Sequence, residues 1–179
     1  MNLIKPILGA GESGFRLEEY FDGRSRADGI YEDRFGNVRR SFTVTIEGSF
    51  DGTVLTLDES FTFDDGSTDG RLWKVTPLPD GVYEGRAEDV IGRARGEVNG
   101  NRLYWHYDMM LPVRNRRIRV RFDDQMWLLS DGLLLNRARI SKFGILLGTV
   151  TIVFTRESDI LSDWRVRRHG DTQDAAIAR

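Results

Sequence analysis

Apolar and polar residues alternate along this chain in short runs, and tight-turn dipeptides separate the runs. Glycine paired with asparagine or aspartate recurs at Gly36-Asn37, Asp51-Gly52, Asp65-Gly66, Asp80-Gly81, Asn99-Gly100 and Asp131-Gly132. Such pairs tolerate the positive φ angles that tight hairpins require. The runs between them span about 10 to 13 residues and mostly alternate, which is typical of strands with one buried face. The sequence therefore predicts antiparallel strands joined by hairpins.

About ten strands follow from this alternation, with no convincing long helix between them. We predict strands at 24–32, 38–50, 53–63, 71–76, 82–87, 90–98, 102–111, 118–128, 133–140 and 145–156. A parallel sheet would need longer crossover segments between its strands. A meander of this length must curl, close or split, and closure removes exposed edges. The predicted fold is therefore all-β, a closed antiparallel up-and-down β-barrel, with a β-sandwich as the alternative.

Short helices are expected to flank the barrel. We predict one helix within 15–21, a barrel domain over 15–156, and a C-terminal helix with a frayed tail over 157–179. One broad face of the C-terminal helix would carry Ile160, Leu161 and Trp164. Packing of this helix on the outside of the barrel is favoured over contact with an anionic membrane surface. The last strand is apolar on both faces near its middle, so we expect it to be covered on both sides.

Composition excludes several classes of function. The chain has 179 residues, 40% of them apolar, and a formal net charge of −2, as expected for one ordinary globular domain. That charge gives no bulk electrostatic reason to expect a nucleic acid partner. The absence of cysteine excludes disulfides, thiolate metal sites and lipid attachment to a cysteine. Residues 1–10 are too short for a membrane span and poor as a signal peptide, which predicts a cytoplasmic location.

Familiar catalytic and metal-binding constellations are missing. The two histidines are His106 and His169, and His106 alternates with Trp105 and Tyr107, so it should point outward. We therefore expect no metal site and no cofactor. Arginines at alternate positions should also face solvent: Arg117, Arg119, Arg121, Arg137 and Arg139. An RNA-binding surface would interleave aromatic residues with them, and only Trp127 qualifies.

The candidate chemistry consists of polar residues set into apolar rows: Glu59, Arg71, Asp124 and Asn136. Burying a charge is costly unless it is paired and hydrogen-bonded. Glu59 and Arg71 flank one predicted hairpin turn, and Asp124 and Asn136 flank another. Each pair could be in contact, but the register is not given by the sequence. Asp123 should point away from Asp124, because neighbours on a strand face opposite sides.

The functional hypothesis is a polar anchor inside the barrel that fixes one end of a mostly apolar ligand. The predicted ligand-binding residues are Glu59, Arg71, Trp73, Trp105, Tyr107, Asp124 and Asn136, with Phe61 as a further wall. The alternative is a structural ion-pair network. A row of small residues suits a tightly curved sheet or the close approach of something opposite; the row is Val90, Gly92, Ala94, Gly96 and Val98.

The chain resembles an uncharacterised bacterial family, domain of unknown function 3833, in three stretches: 85–96, 122–128 and 135–144. The likeness extends over 17–156. The resemblance implies a lipocalin-like, or calycin, barrel that closes around small apolar molecules. It also implies relatives anchored as lipoproteins through an N-terminal cysteine, which this chain lacks.

Three hypotheses about function follow. The favoured one is a non-enzymatic protein that binds a small apolar or lipid-like molecule inside the barrel. The second is a cofactor-independent enzyme of isomerase or cyclase type, with Glu59 or Asp124 as a general base whose pKa burial has raised. The third is an interaction module with a filled core.

Overall fold

The computed structural model of this protein describes residues 14–113 and 115–159. Within them one short helix, α1 (Leu17–Phe21), precedes ten strands. The strands are β1 (Gly23–Asp33), β2 (Val38–Phe50), β3 (Leu55–Phe63), β4 (Thr68–Pro77), β5 (Val82–Arg86), β6 (Val90–Asn99), β7 (Arg102–Val113), β8 (Arg116–Leu128), β9 (Leu134–Lys142) and β10 (Ile145–Arg156), with a 3₁₀ turn at Pro79–Gly81 between β4 and β5. Each strand pairs antiparallel with its neighbours in sequence, and β1 pairs with β10. The predicted closed up-and-down barrel is confirmed, and the sandwich alternative is wrong.

The predicted hairpin turns are confirmed by their backbone angles. All six turn glycines have positive φ: Gly36 (82°), Gly52 (94°), Gly66 (79°), Gly81 (72°), Gly100 (61°) and Gly132 (84°). A further tight turn joins β9 to β10 through Phe143 and Gly144, with φ of 52° and 78°. No turn dipeptide of the predicted kind marks that position.

The two ends of the barrel differ in packing. At the end near α1, which we call the closed end, the buried side chains include Phe15, Leu17, Tyr20, Phe21, Ile46, Leu55, Leu103 and Leu134. At the opposite, open end, inward-facing apolar residues are only half-buried: Tyr31, Phe42, Phe61, Leu111 and Ile118. Full burial also extends toward the open end on β6–β9, at Val90, Met109, Val120 and Ile140, so the packing loosens mainly on β1–β3 and at the rim itself.

Helix α1 is anchored across the closed end by buried polar contacts. The Tyr20 hydroxyl donates to the Phe154 carbonyl oxygen at 3.1 Å. The buried Glu18 carboxylate accepts from the Tyr83 hydroxyl at 2.9 Å and from Arg16 at 2.7 Å. Because a buried carboxylate needs donors, these contacts hold the helix against β5 and β10.

Replacing Tyr83 with phenylalanine should lower the free energy of unfolding by about 1.5 kcal/mol, since Glu18 loses one of its donors while Arg16 still compensates its charge. Urea unfolding measures the change. Tyr104→Phe is the matched control, because Tyr104 is exposed and, among the described residues, its hydroxyl receives a hydrogen bond from Arg102 alone. Equal unfolding free energies for the two variants would contradict the anchoring role of Tyr83.

The row of small residues on β6 makes room for an aromatic side chain. A Cβ atom added at Gly96 would lie 2.3 Å from Trp105 Cε3, and one added at Gly85 would lie 2.5 Å from Trp105 Cζ2. The predicted inward position of Gly92 is wrong. Gly92 is exposed with φ of 73°, and the register with β7 shifts between Ile91 and Arg95. Two extra residues on β6 bulge outward here, so Gly92 leaves the inner face while Val90, Ala94 and Gly96 keep the predicted inward positions.

The outer wall agrees with the predicted strand faces in most places. His106 and the five alternating arginines of β8 and β9 are exposed. The expected outer cover of β10 is not found at Val153, which is 38% exposed. The predicted C-terminal helix begins within the described residues, where 157–159 are helical, while Ile160, Leu161 and Trp164 lie outside them. In the described part of the chain, every helix is too short or too polar to cross a membrane.

Candidate functional site

Six polar side chains gather inside the barrel: Glu59, Arg71, Asp89, Tyr107, Asp124 and Asn136. We call this group the interior polar cluster. Five of the six project from β3, β4, β7, β8 and β9, and Asp89 directly precedes β6. All seven residues predicted to bind ligand lie on the inner wall, since Trp73 and Trp105 are also buried there. Strand alternation therefore assigned their faces correctly.

Arg71 pairs with Asp89. Its Nη2 and Nε atoms both contact Asp89 Oδ2, at 2.9 Å and 3.1 Å. Glu59 is the cross-strand partner of Arg71 in the register of β3 and β4. Among the described residues, however, the guanidinium forms its salt bridge with Asp89 and not with Glu59. The charge of Arg71 is thus already compensated by Asp89.

Glu59 is a half-buried carboxyl group with no hydrogen bond to any described residue. Burial raises the pKa of Glu59 to about 7, an effect that Arg71 opposes and Asp89 reinforces. A carboxyl oxygen without a hydrogen bond would count as a buried unpartnered atom if it were fully enclosed, and neither oxygen of Glu59 does. Glu59 therefore presents a carboxyl group to accessible space, in a mixture of protonation states near neutral pH.

Asp124 and Asn136 form the deepest part of the cluster. Their exposed fractions are 6% and 3%. Asn136 Nδ2 donates to Asp124 Oδ2 over a long 3.4 Å, which confirms that these two residues are neighbours. Burial raises the pKa of Asp124 to about 7, although the hydrogen bond from Asn136 opposes the shift. The Oδ1 atoms of both residues are buried without a partner.

Aromatic rings surround these polar groups. Tyr107 stacks on Phe122 with centroids 5.0 Å apart, and Trp73 meets Tyr107 edge-on at 5.3 Å. Trp73 also contacts Trp105, at 5.8 Å. Burial, together with the nearby Asp124, raises the pKa of Tyr107 well above its usual value, so its hydroxyl stays protonated. The cluster thus combines an apolar wall with a few polar groups, as small-molecule sites do.

Three acceptor oxygens of the interior polar cluster, Asp89 Oδ1, Asp124 Oδ1 and Asn136 Oδ1, are buried and unpartnered among the described residues. The Ser25 hydroxyl, which can donate or accept, is also buried without a partner, opposite Ile46 at the closed end. The carboxyl group of Glu59 adds further acceptor sites. Leaving buried acceptors unsatisfied costs free energy, so an incoming group that donates hydrogen bonds would be stabilised here.

Asp89 and Ser25 were missed by the sequence analysis. Asp89 lies in the turn between β5 and β6, where strand alternation assigns no face. Ser25 does occupy an inward position on β1, opposite Ile46 of β2, and alternation along β1 could have found it. A small hydroxyl residue was too weak a signal to stand out.

A groove of about 560 Å³ lies elsewhere, on the outer surface of β1, β2, β3 and β10. Its outward-facing side chains are Asp28, Ile30, Ser41, Thr43, Thr62, Asp64, Thr151 and Val153. None of these residues contributes a buried polar atom without a partner. The buried polar atoms without hydrogen-bond partners, among the described residues, are therefore inside the barrel and not in this groove.

The described residues do not contain a cluster of three or more potential ligands that could hold a metal ion.

The fold and the interior define this molecule as a closed antiparallel barrel with an acceptor-rich polar cluster in its wall. The chain belongs to the family described as Protein of unknown function (DUF3833), whose model matches residues 9–156. This confirms the family that the three sequence stretches resemble. None of the curated proteins matches the chain.

Proposed function

We propose that the barrel binds a small, mainly apolar molecule whose polar end donates hydrogen bonds, such as an amine or an alcohol. The observation that carries this proposal is the buried pair of Asp124 and Asn136, each with an acceptor oxygen that lacks a donor. A ligand amine or hydroxyl would satisfy those oxygens. The half-buried apolar residues at the open end would contact its hydrocarbon part.

Charge favours a donor over an anion at this position. The Arg71 guanidinium is paired with Asp89, whereas Glu59 has no cationic partner among the described residues within salt-bridge distance. A carboxylate or phosphate ligand would enter beside Glu59 and Asp124 without a free arginine to compensate it. An ammonium group would instead favour the ionised form of these carboxyl groups and so lower their pKa.

The first test is native mass spectrometry and solvent extraction after gentle purification, which would reveal a retained ligand. The second uses three probes of equal chain length: dodecylamine, dodecanol and dodecanoate. We expect dodecylamine to bind most tightly, dodecanol next and dodecanoate least. Calorimetry or displacement of an environment-sensitive dye measures these affinities.

Asp124→Asn should weaken dodecylamine binding by about tenfold to a hundredfold, because a charge-assisted hydrogen bond is replaced by a neutral one. Asp123→Asn is the matched control, since Asp123 is adjacent in sequence but lies on the outer face beside Arg121. Tighter binding of dodecanoate than of dodecylamine would overturn the proposal. So would equal losses in the two variants.

One observation favours a second candidate function, general acid–base catalysis without a cofactor. Glu59 is unpaired, half-buried and has a pKa near 7, which suits a group that exchanges protons at neutral pH. Glu59→Gln should then retain a co-purifying molecule that differs in chemical structure from the one retained by the wild-type protein. Identical retained molecules in both proteins would argue against catalysis by Glu59.

A further inference from the structure

Three neighbouring hairpins at the open end carry exposed apolar residues at their tips. The β1–β2 tip exposes Phe35 (73%) and Val38 (58%), and the β9–β10 tip exposes Phe143 (93%) and Ile145 (59%). Val113 at the β7–β8 tip is 45% exposed. These hairpins follow one another around the barrel, because β1 pairs with β10 and β8 with β9. We call them the rim tips.

Phe143 occupies a position that its side chain disfavours. Its φ is 52°, in the left-handed region where glycine, asparagine and aspartate are usual and a bulky residue is rare. The ring is also almost fully in water, so it contributes little to the packing of the core. Neither turn geometry nor burial against the described residues explains phenylalanine there. Such a conflict points to a contact beyond the described residues.

The rim tips are also cationic. Residues 33–39, 113, 115–117 and 142–145 contain five arginine or lysine side chains and one carboxylate, Asp33. Arg34 lies over the ring of Phe35 at 4.7 Å, and Lys142 lies over the ring of Phe143 at 5.3 Å. Each of these two tips therefore joins an aromatic ring to a cation.

The β1–β2 tip is held in a defined shape. Asp33 Oδ1 accepts the backbone N–H groups of Phe35 and Asn37 at 2.9 Å and 3.1 Å. Asp33 also pairs with Arg39 at 2.6 Å. Because the carboxylate is used inside the hairpin, Phe35 is presented on an ordered turn, and little conformational freedom would be lost on contact with a partner.

The β3–β4 turn of the rim has the opposite charge. Residues 64–69 contain Asp64, Asp65 and Asp69 and no lysine or arginine, although Arg40 of β2 pairs with Asp65 at 2.8 Å. A planar anionic surface would attract the rim tips and repel this turn. The charge distribution therefore specifies which side of the open end approaches such a surface.

We propose that the rim tips dock the open end of the barrel on a lipid bilayer that carries anionic headgroups. Phe35, Phe143 and Ile145 would enter the interfacial region, while Arg34, Lys142 and the neighbouring arginines contact the headgroups. Docking in this orientation brings the half-buried apolar wall of the open end next to the membrane. The proposal does not depend on the identity of any ligand inside the barrel.

The test is co-sedimentation of the full chain with phosphatidylcholine vesicles that either contain or lack phosphatidylglycerol. We expect binding to the anionic vesicles, weaker binding in high salt, and little binding to phosphatidylcholine alone. Phe143→Asn should weaken binding by about tenfold or more, because one phenylalanine no longer leaves water. Asparagine tolerates positive φ, so the thermal midpoint of this variant should not fall.

Leu78→Ser is the matched control, since Leu78 is 42% exposed but lies in the connection between β4 and β5 at the closed end. It should leave vesicle binding unchanged. Absence of binding by the wild-type chain would overturn the proposal, as would equal binding to neutral vesicles or an equal loss in Leu78→Ser. Self-association that Phe143→Asn abolishes, without vesicle binding, would assign the rim tips to a second copy of this chain instead.

Discussion

Replacing Gly48 with alanine is expected to lower the free energy of unfolding by about 3 kcal/mol or more, because the new methyl group collides with backbone that cannot rotate away. A Cβ atom at this position would lie 1.7 Å from the Phe21 carbonyl oxygen and 2.8 Å from its carbon. Phe21 ends α1, so the helix must move off the closed end of the barrel. That movement would also disturb the buried contacts of Tyr20 and Glu18.

Urea unfolding at a single pH measures this effect, and Gly70→Ala is the matched control. Gly70 also lies within a strand, but a Cβ atom there would meet only the Glu59 carbonyl oxygen, at 3.6 Å. We expect the control to be neutral or slightly stabilising, because alanine restricts the unfolded chain. Comparable losses in the two variants would contradict the close docking of α1 on β2.

Most of the fold could be predicted because the signals that determine it are local. Asp-Gly and Asn-Gly pairs report a backbone angle directly, and alternation reports which face of a strand is buried. Closure then follows from the number of strands and from the cost of exposed edges. The turn at Phe143 carried no such signal, since phenylalanine is not a residue that favours positive φ. A prediction from local turn preferences fails where the residue present does not favour the backbone angle that it adopts.

The candidate site was predictable only in part. Alternation placed Glu59, Asp124 and Asn136 on the inner wall, because each lies within a regular strand. The partner of Arg71 could not be predicted, since its long side chain reaches past Glu59, its opposite neighbour, to Asp89 in a turn. The error at Gly92 has a related cause. A bulge displaces single residues such as Gly92 from the face that alternation assigns them, and no residue type announces it reliably.

The pH dependence of stability should reveal the buried carboxyl group of Asp124. Its pKa is about 7 in the folded protein, against about 4 for an aspartate in an unfolded chain. Between these values the folded state keeps a proton that the unfolded state has released. The contribution of Asp124 to the free energy of unfolding therefore falls as the pH rises from about 4 through 7, by at most about 1.4 kcal/mol per pH unit.

Asp124→Asn should remove most of that dependence, because an amide of similar volume does not ionise and its oxygen can still accept the hydrogen bond from Asn136. The unfolding free energy of the variant minus that of the wild-type protein should therefore increase by about 3 kcal/mol as the pH is raised from about 5 to 8. Urea unfolding at both pH values measures the gain.

Asp123→Asn should keep the wild-type pH dependence of the unfolding free energy, since Asp123 lies on the outer face beside Arg121. A smaller slope should persist in Asp124→Asn, because Glu59 titrates in the same range with more access to water. Parallel curves for Asp124→Asn and the wild-type protein would show that this carboxyl group is not held in its protonated form by burial.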